Sequence, residues 1–535
     1  GKLAGSTSCS GTITNGPYPV NIGKSSEIKD SHRGPLCHAT LDAVRIFDSV
    51  VKPQQLMKQG KALQNRSALW LDFEETRKEE DFYTVGIPGR TYGDIWPDRS
   101  IHPELWQMKK SAQPVSITPA HLEQGRVRIQ NHYHFTPLST LAASWHLQAN
   151  GKTLQEGSLE VDLAPGEEDT LTVPFEPPSV APGTHYHLLV RFRQPEQTAW
   201  APKNHEVAWA QFTLPFYKQK KPAQKPGAKA LSLKEDKNML QITGADFRYT
   251  FDKKQGLLTS IRYQEEEMLA AAPRFNAWRA PLANDLDAWA FYGSHIGQVQ
   301  NGMGREVANG WRSAGLDQLA HTLDRFSVSR EAKKIIVKAD ASVSARNYTT
   351  GFDVAYTYTI ARSGGLSIET TVHPAGNMTH WLPKIGLQLK IPKTYHHLKW
   401  FGRGPFETYP DRKTGAKTGV YSTTAKASDV PYLIPQDYGN KTGVYWAEVT
   451  NPAGKGLRIK GGERFQLSLH KYAPENLTRA LYRPQLQEDT ALTLNLDHRV
   501  SGVGGTANSV LPKYRVDPGT FSFTCHLMPV ETESP

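Results

Sequence analysis

Cysteine is scarce in this sequence, with three residues among 535. No two of them are spaced as Cys-x-x-Cys, the arrangement of zinc knuckles and dithiol redox motifs, so neither kind of site is supported. Cys9 and Cys37 can pair only in an oxidising compartment, and Cys525 would then remain odd. The cysteines therefore leave that pairing and the cellular location open.

Long hydrophobic runs are absent as well. No window approaches ~18 uninterrupted apolar residues, the length that a membrane-spanning helix requires, so we expect no membrane partner. The first residues, GKLAGSTSCSG, do not place a basic segment before an apolar one, and no signal peptide is visible in them.

Acidic residues are in the minority, 52 against 63 lysines and arginines, which gives a net charge of +11. A basic excess can indicate binding to nucleic acid. Here much of the excess lies in the run KQKKPAQKPGAK at 218–229, which has five lysines and no acidic residue. A solvated linker explains that run better than a nucleic-acid-binding face, so we expect no nucleic-acid partner.

Helical patterns are few, with candidates only near 53–63 and 103–110, whereas period-two alternation of apolar and polar residues is common. It recurs at 127–135, 159–163 and 188–193, and 43 glycines and 36 prolines punctuate the chain. Such alternation between frequent turn signals predicts an all-β fold of antiparallel sandwiches. A further strand is predicted at 41–47.

Two His-x-His pairs have a spacing that also occurs in metal sites. His132 with His134, and His185 with His187, each place two imidazoles on one face of an extended strand. The side chains predicted to share those faces are Arg128 and Gln130 for the first pair and Arg191 and Arg193 for the second. Because neighbouring cations disfavour a metal ion, we interpret both pairs as solvent-facing and expect no metal site.

Two carboxylates, Glu407 and Asp411, stand close together in the stretch WFGRGPFETYPDR at 400–412. Glycosidases use carboxyl pairs roughly 5–5.5 Å or 6.5–9.5 Å apart, whereas four residues of extended chain span about 13 Å. Only a turn would bring the two together. Pro410, with the adjacent Asp411 and Arg412, favours turn chemistry and local ion pairing over an acid/base pair.

Aromatic residues are abundant, with 12 tryptophans and 21 tyrosines, and sugars stack on such rings. Five tryptophans stand near Pro, Gly, Asn or Asp in loop-like contexts: Trp96, Trp106, Trp278, Trp289 and Trp311. Core packing is the favoured interpretation for any single one of them, and contact with carbohydrate is the alternative.

Several stretches, in order along the chain, resemble the C-terminal part of the large glycoside hydrolase family 2 β-galactosidases. The most specific are WFGRGPFETYPDR (400–412), PQDYGNKTGVYW (435–446) and LDHRVSGVGG (496–505). Supporting stretches are WPDRSIHPELWQMKK (96–110), FDKKQGLLTSI (251–261) and RAPLANDLD (279–287). The resemblance covers about 90–535.

The first residues resemble a different family. HATLDAVRIFDSVVKPQQL, at 38–56, is similar to the last strand of laminin-G or concanavalin-like jelly rolls, which implies the tail of an inserted module. The patterns and both resemblances together predict an all-β chain. Its segments are the C-terminal part of a jelly roll (1–66), the end of the catalytic barrel with a connector (67–112), an immunoglobulin-like sandwich (113–216), a Lys/Pro linker (217–229) and a large antiparallel supersandwich (230–535).

The β-galactosidase resemblance implies a retaining enzyme that hydrolyses terminal β-D-galactosides, with lactose-like substrates. In that family the catalytic glutamates lie on barrel strands that precede the segment at 96–110, and this chain contains no barrel of βα repeats. We therefore expect no catalytic residue in this chain and no activity from it alone. The implied partner is a barrel-containing N-terminal portion or large subunit, within an oligomer. Mg²⁺ and Na⁺ are implied for the complete enzyme, and none is expected to be held by this chain.

The resemblance also implies which residues contact substrate. The family has a mobile loop after the stretch that matches RAPLANDLD, and its counterpart here starts at Asp287 and contains Trp289 and Tyr292. A second substrate-binding stretch follows the LDHRVSGVGG match, where Asn508 and Ser509 are the candidates and the tryptophan expected from the family is missing. These five residues would shape the rim of the active site.

Two other functions stay open at this point. One is a non-catalytic carbohydrate-binding protein made of β-sandwiches. The other is an aldose epimerase-like enzyme, which needs an acid and a base at the sugar ring, and His396 or His397 with Glu407 is the nearby set.

Overall fold

The computed structural model describes 43–47, 67–72, 94–96, 98–219, 230–286, 305–346, 348–376, 378, 380–480, 483–504 and 510–530. The chain forms two compact units, 1–91 and 92–535. In the first unit, strand β1 (Ala43–Phe47) pairs antiparallel with β2 (Ser67–Asp72), which places a strand where one was predicted. The helix predicted near 53–63 lies outside the described residues.

In the second unit, a helix is followed by a two-sheet sandwich. Helix α1 (Pro103–Ser111) matches the helix predicted at 103–110. The strands that follow are β3 (Val115–His121), β4 (Arg126–Asn131), β5 (Ala142–Ala149), β6 (Lys152–Leu159), β7 (Glu168–Thr172), β8 (Tyr186–Arg193) and β9 (Glu206–Thr213). They form the antiparallel sheets β3-β4-β7 and β6-β5-β8-β9. Alternate residues such as Val127, Ile129, Leu188 and Val190 fill the core between the sheets.

The strand predicted at 127–135 is shorter than expected, because β4 ends at Asn131. The buried Asn131 side chain donates from Nδ2 to the carbonyls of Thr136 and Leu163, at 2.9 and 3.0 Å, and accepts the backbone N–H of Tyr133. These bonds turn the chain out of the sheet. Phe135 is consequently 93% exposed rather than part of an alternating face.

The rest of the second unit is a larger all-β region. Its smaller sheet consists of β10 (Ser232–Glu235), β11 (Met239–Thr243), β12 (Phe247–Asp252), β13 (Leu257–Tyr263) and β14 (Glu266–Glu267) in sequential order. The larger sheet follows the order β15-β20-β25-β24-β26-β19-β18-β17-β16, with β23 joining β24 and β21 lying between β22 and β23. One continuous hydrophobic core spans both sheets, and the predicted all-β fold is confirmed.

The strands of the larger sheet are β15 (Ala271–Asn276), β16 (Ala320–Arg330), β17 (Lys334–Ser344), β18 (Gly351–Ala361), β19 (Leu366–Ala375), β20 (Lys384–Pro392), β21 (His397–Gly404), β22 (Lys417–Thr424), β23 (Lys441–Thr450), β24 (Gly456–Tyr472), β25 (Glu488–Val500) and β26 (Phe521–Pro529). The described residues of this region also form the short helices α2 (Ala283–Leu286), α3 (Arg305–Ser313) and α4 (Pro474–Arg479). No helix in the described part of the chain has both the length and the apolar character needed to cross a bilayer.

The outer face of sheet β6-β5-β8-β9 packs against strands β21 to β23 of the larger region. His187 of β8 is buried there, with its ring 6.2 Å from Phe401 and 6.4 Å from Tyr445. Gln211 of β9 brackets Thr418, donating to its carbonyl at 2.8 Å and accepting its N–H at 2.7 Å. The expectation that His187 faces solvent is therefore wrong, because a second domain covers that face.

Candidate functional site

The five predicted substrate-binding residues, Asp287, Trp289, Tyr292, Asn508 and Ser509, all lie outside the described residues. The structure does describe the segments that lead into both stretches. Helix α2 precedes 287–304, and the segment Ser501–Gly504 precedes 505–509. The candidate site is therefore built from the residues that hold these two points of departure.

Hydrogen bonds tie the two lead-in segments together. Arg279 donates from Nη1 to the carbonyl of Ser501 at 2.7 Å and from Nη2 to that of Gly502 at 3.0 Å. Asn284 of α2 donates from Nδ2 to the carbonyl of Val503 at 2.9 Å. The start of one candidate stretch is thus fixed against the start of the other.

A buried ion pair supports this junction. The Asp285 carboxylate accepts from Arg279 Nη2 at 3.3 Å and from the backbone N–H of Leu282 at 2.9 Å. Burial raises the pKa of Asp285, and the neighbouring guanidinium opposes that rise. The guanidinium also lies 5.7 Å above the ring of Trp311, which is buried in the core. The arginine therefore links α2, the core and the 501–504 segment.

Asp411 completes the junction from the other side. Its carboxylate accepts the backbone N–H of Val503 at 3.0 Å and that of Gly504 at 2.9 Å. A Cβ on Gly502 would come within 2.3 Å of the same carboxylate, so only glycine leaves room for it. We call Arg279, Asn284, Asp285, Asp411 and the segment 501–504 the loop base.

Glu407 lies in a separate buried cluster and does not pair with Asp411. Its carboxylate accepts from the Tyr432 hydroxyl at 2.5 Å and from the Gly439 N–H at 2.6 Å, and it forms an ion pair with Arg412. Arg412 also pairs with Glu104 of α1. Backbone bonds in both directions between Tyr409 and Arg412 form the local turn. The turn and ion pairing expected for this stretch are both present.

Glu407 has a raised pKa, as many catalytic acids do, but its side chain is not accessible to a substrate. Burial raises its pKa to about 7, although hydrogen bonds from Tyr432 and Gly439 oppose the rise. Shifted pKa values often mark active sites. Here both carboxylate oxygens already accept hydrogen bonds and the side chain is buried. Glu407 therefore holds the fold together, and it is not placed to meet a sugar, either as a hydrolase or as an epimerase acid.

Core packing is the favoured interpretation for each of the five tryptophans, and among the described ones only Trp106 departs from it. Trp96, Trp278 and Trp311 are buried. Trp106 of α1 keeps 38% of its surface exposed. Trp289 lies outside the described residues. Trp106 is accordingly the described member of the set that can meet a ligand.

Sequence reasoning missed the loop base. Arg279, Asn284 and Asp285 were recognised only as parts of a family stretch, and Asp411 only as a candidate partner of Glu407. A signal was present, since RAPLAND and SGVGG directly precede the two candidate stretches. Their contact across more than 200 residues of chain depends on the fold.

The buried carboxylates do not fit a metal site. Among the described residues, no three His, Cys, Asp or Glu side chains converge in a way that could hold a metal ion. Three of the four buried carboxylates in the described part of the chain are each paired with a cation: Glu407 with Arg412, Asp285 with Arg279, and Asp497 with Lys384. The fourth, Asp437, accepts from the Tyr409 hydroxyl at 3.2 Å.

Among solved structures, the chain shows a weak likeness to an aldose epimerase homologue from C. elegans. The identity is 10% and the TM-score is 0.31, over 57% of this chain and 100% of that one. Galactose 1-epimerase from Lactobacillus acidophilus gives 10% identity and a TM-score of 0.29, over 57% of this chain and 99% of that one. Scores this low carry no argument about function.

Sequence comparisons give a clear family. Residues 243–527 match the family described as beta galactosidase small chain, and 127–215 match the one described as beta-galactosidase, domain 4. A beta-galactosidase of Priestia megaterium is 31% identical over 81% of this chain and 39% of its own length, and one from Vibrio vulnificus is 28% identical over 81% and 40%. The chain thus spans about two fifths of these relatives. Because the small-chain match covers more than half of the sequence, the protein belongs to the β-galactosidase small-chain family.

Proposed function

We propose that this chain is the C-terminal portion of a retaining β-galactosidase of glycoside hydrolase family 2. The complete enzyme would hydrolyse terminal β-D-galactosides, with lactose-like substrates, and would work as an oligomer. The relatives that carry this activity in their names are more than twice as long as the part that matches. We therefore assign the catalytic carboxylates to a barrel-containing portion or large subunit outside this chain.

The loop base is the observation that most supports a role at the active-site rim. Asp287, Trp289 and Tyr292 follow α2, and Asn508 and Ser509 follow Gly504. Arg279 and Asn284 bond these two lead-in segments to each other, and Asp411 holds the second segment from its other side. A fixed junction of this kind would let both stretches approach one sugar together, since a rigid scaffold commonly positions binding loops.

The surroundings of Glu407 and Asp411 support the proposal that this chain is inactive alone. The Glu407 carboxylate accepts hydrogen bonds from Tyr432 and Gly439 and pairs with Arg412. The Asp411 carboxylate accepts two backbone N–H groups. Neither carboxylate is available to protonate a glycosidic oxygen or to attack a sugar carbon.

An apolar surface near the start of the second unit suits the missing portion. Ile95, Ile101 and Met108 are exposed within one short segment, just where the family resemblance places the end of the barrel. Ile95 and Ile101 are neighbours in an antiparallel bridge, and contiguous exposed apolar side chains commonly mark contacts with another protein part. We propose that the barrel-containing portion covers this surface.

The Mg²⁺ and Na⁺ of the complete enzyme would be held by that other portion. Among the described residues, the buried carboxylates of Asp285, Asp497 and Glu407 are each neutralised by an arginine or lysine, so these three do not fit a cation. No step of the reaction is assigned to a metal ion bound by this chain.

Reconstitution tests the proposal. The purified chain alone is expected to leave a chromogenic β-D-galactoside intact, and mixing it with the barrel-containing portion is expected to produce hydrolysis. NMR of the first-formed sugar should show the β-anomer, as retention requires. Hydrolysis by the chain alone would overturn the assignment of the catalytic residues, and no activity from a stable mixture would overturn the proposed partnership.

A further inference from the structure

A cavity of 460 Å³ lies where α1, β9 and the β21–β22 hairpin meet, and none of its lining residues belongs to the loop base. Its volume is within the range of about 300–1,000 Å³ that is typical of small-molecule sites. We call it the hairpin cavity. The family comparisons and the proposed function give it no role.

Contacts between α1 and the hairpin hold the cavity in shape. Gln107 of α1 donates to the Thr414 hydroxyl at 2.7 Å and accepts the N–H of Gly415 at 3.0 Å. A Cβ on Gly415 would lie 2.7 Å from the backbone oxygen of Trp106, so glycine permits this close approach. A cavity fixed in this way loses little entropy when a ligand enters.

One wall is aromatic. Trp106 and Phe406 lie nearly parallel, with an angle of 9° between the rings and 5.7 Å between their centroids. Trp209 and Tyr421 also line the cavity. Flat aromatic surfaces that remain partly exposed, as Trp106 does, suit the C–H faces of a sugar ring.

The polar lining has an excess of positive charge. Lys109, Lys110 and Lys417 line the cavity together with one carboxylate among the described residues, Glu206. That carboxylate is shared between Lys417, whose Nζ donates to it at 2.6 Å, and Arg191, whose Nε donates at 2.5 Å. Because Glu206 pairs with these two cations, neither Lys109 nor Lys110 has an ion pair in the cavity among the described residues. Lys110 Nζ donates to Gln113 Oε1 at 2.9 Å and to the carbonyl of Trp209, and Lys109 Nζ lies 3.2 Å from His205 Nε2.

Two of these ammonium groups lie over the same ring. Lys110 Nζ is 4.2 Å and Lys417 Nζ is 4.5 Å from the centre of Trp209. Burial and the nearby charge of Lys417 lower the pKa of Lys110 to about 8. Like charges held this close in a half-buried site are stabilised by an anion.

The helix separates this site from the surface proposed for the barrel. Trp106, Lys109 and Lys110 are spaced three and four residues apart, so they share one face of α1. Met108 lies two positions from Trp106, about 200° around the helix. A partner on the Met108 side would leave the cavity side of the helix facing the hairpin.

We propose that the hairpin cavity binds an anionic saccharide, with its sugar ring on the Trp106–Phe406 wall and its acidic group at Lys110 and Lys417. The acidic group can be a carboxylate or a sulfate, since both accept hydrogen bonds from ammonium groups. This site is separate from the proposed catalytic function and does not depend on it.

Calorimetric titration of the full 535-residue chain with digalacturonate tests the proposal, with neutral galactobiose as the matched sugar. We expect digalacturonate to bind at least tenfold more tightly at low ionic strength and to lose that advantage in ~0.5 M NaCl, where charges are screened. Equal affinities for the two disaccharides would overturn the proposal.

Variants locate the site. Trp106→Ala, at a partly exposed position, and Lys110→Met are each expected to weaken digalacturonate binding at least tenfold. Phe135→Ala and Lys234→Met change exposed residues that do not line the cavity and should leave binding unchanged. Inorganic sulfate serves as a competitor. If sulfate binds as tightly as digalacturonate and Trp106→Ala has no effect on either, the cavity holds only a simple anion and the saccharide proposal is wrong.

Discussion

Arg279 and Asp285 of the loop base are buried to the same extent as His187 at the interface between the sheets, but the two regions differ in whether the buried groups have partners. Arg279 is 1% exposed and Asp285 and His187 are each 2% exposed. Arg279 and Asp285 neutralise each other and share hydrogen bonds with the backbone. Among the described residues, neither ring nitrogen of His187 has a hydrogen-bond partner.

This difference decides how each region responds to change. A buried charge that is paired stays charged, and it depends on its partner for stability. A buried imidazole without partners stays neutral instead, because nothing nearby compensates a proton. The loop base should therefore be sensitive to loss of a side chain, and the His187 interface should be sensitive to acid.

The largest expected effect is that of Arg279→Met. The change leaves the Asp285 carboxylate buried without its cation and removes the hydrogen bonds to Ser501 and Gly502. Removing one partner of a buried ion pair costs about 3–5 kcal/mol of unfolding free energy. Denaturant unfolding of the variant and the parent chain measures the loss.

Arg274→Met is the matched control for that variant. Arg274 is exposed on β15, a few residues before Arg279 in the chain, so its loss should change the unfolding free energy by less than about 0.5 kcal/mol. If the two variants are equally stable, the loop base does not depend on its ion pair and the comparison fails.

The strands of this fold could be predicted from local pattern because alternation reports which side chains share a face. Val127 and Ile129 show this, since both point into the core as expected. Alternation failed at Asn131, where a buried amide satisfies backbone groups and ends the strand. It failed again at His187, because a period of two does not reveal what covers the outer face of a sheet.

The site was less accessible to prediction than the fold. The turn at Pro410 and Arg412 is local, so it could be predicted from the residue types within it. Asp411 instead accepts the N–H groups of Val503 and Gly504, which lie about ninety positions further along the chain. Contacts between distant segments depend on strand order, and the sequence pattern does not specify that order.

The next effect in size concerns His187 and pH. Burial, with His185, Arg464 and Arg403 as neighbouring cations, lowers the pKa of His187 from 6.5 to about 4. Between those values the unfolded chain binds a proton that the folded chain does not. The contribution of His187 to stability is therefore full above pH 6.5 and is lost as the pH falls to 4, by about 3 kcal/mol.

His187→Leu should remove this acid sensitivity, since leucine cannot titrate. Calorimetric unfolding between pH 7 and pH 4 is expected to show a smaller drop in Tm for the variant than for the parent. His132→Leu alters an exposed histidine of the same sandwich and should leave the drop unchanged. Equal drops for His187→Leu and the parent would mean that other groups cause the acid loss.

The smallest expected effect on stability, and the most informative for function, is that of Asp411→Asn. Asparagine keeps one acceptor for Val503 or Gly504 and presents an NH₂ group to the other, so about 1 kcal/mol of unfolding free energy should be lost. The fold survives, but the segment that leads to Asn508 and Ser509 is held less firmly. If that segment helps to bind galactosides as proposed, the reconstituted enzyme should show a several-fold higher KM.

Asp517→Asn, at an exposed position, should change neither the unfolding free energy nor the KM. A variant that loses the stability and keeps its KM would separate the two roles, and would show that the loop base supports the fold without setting the rim of the active site.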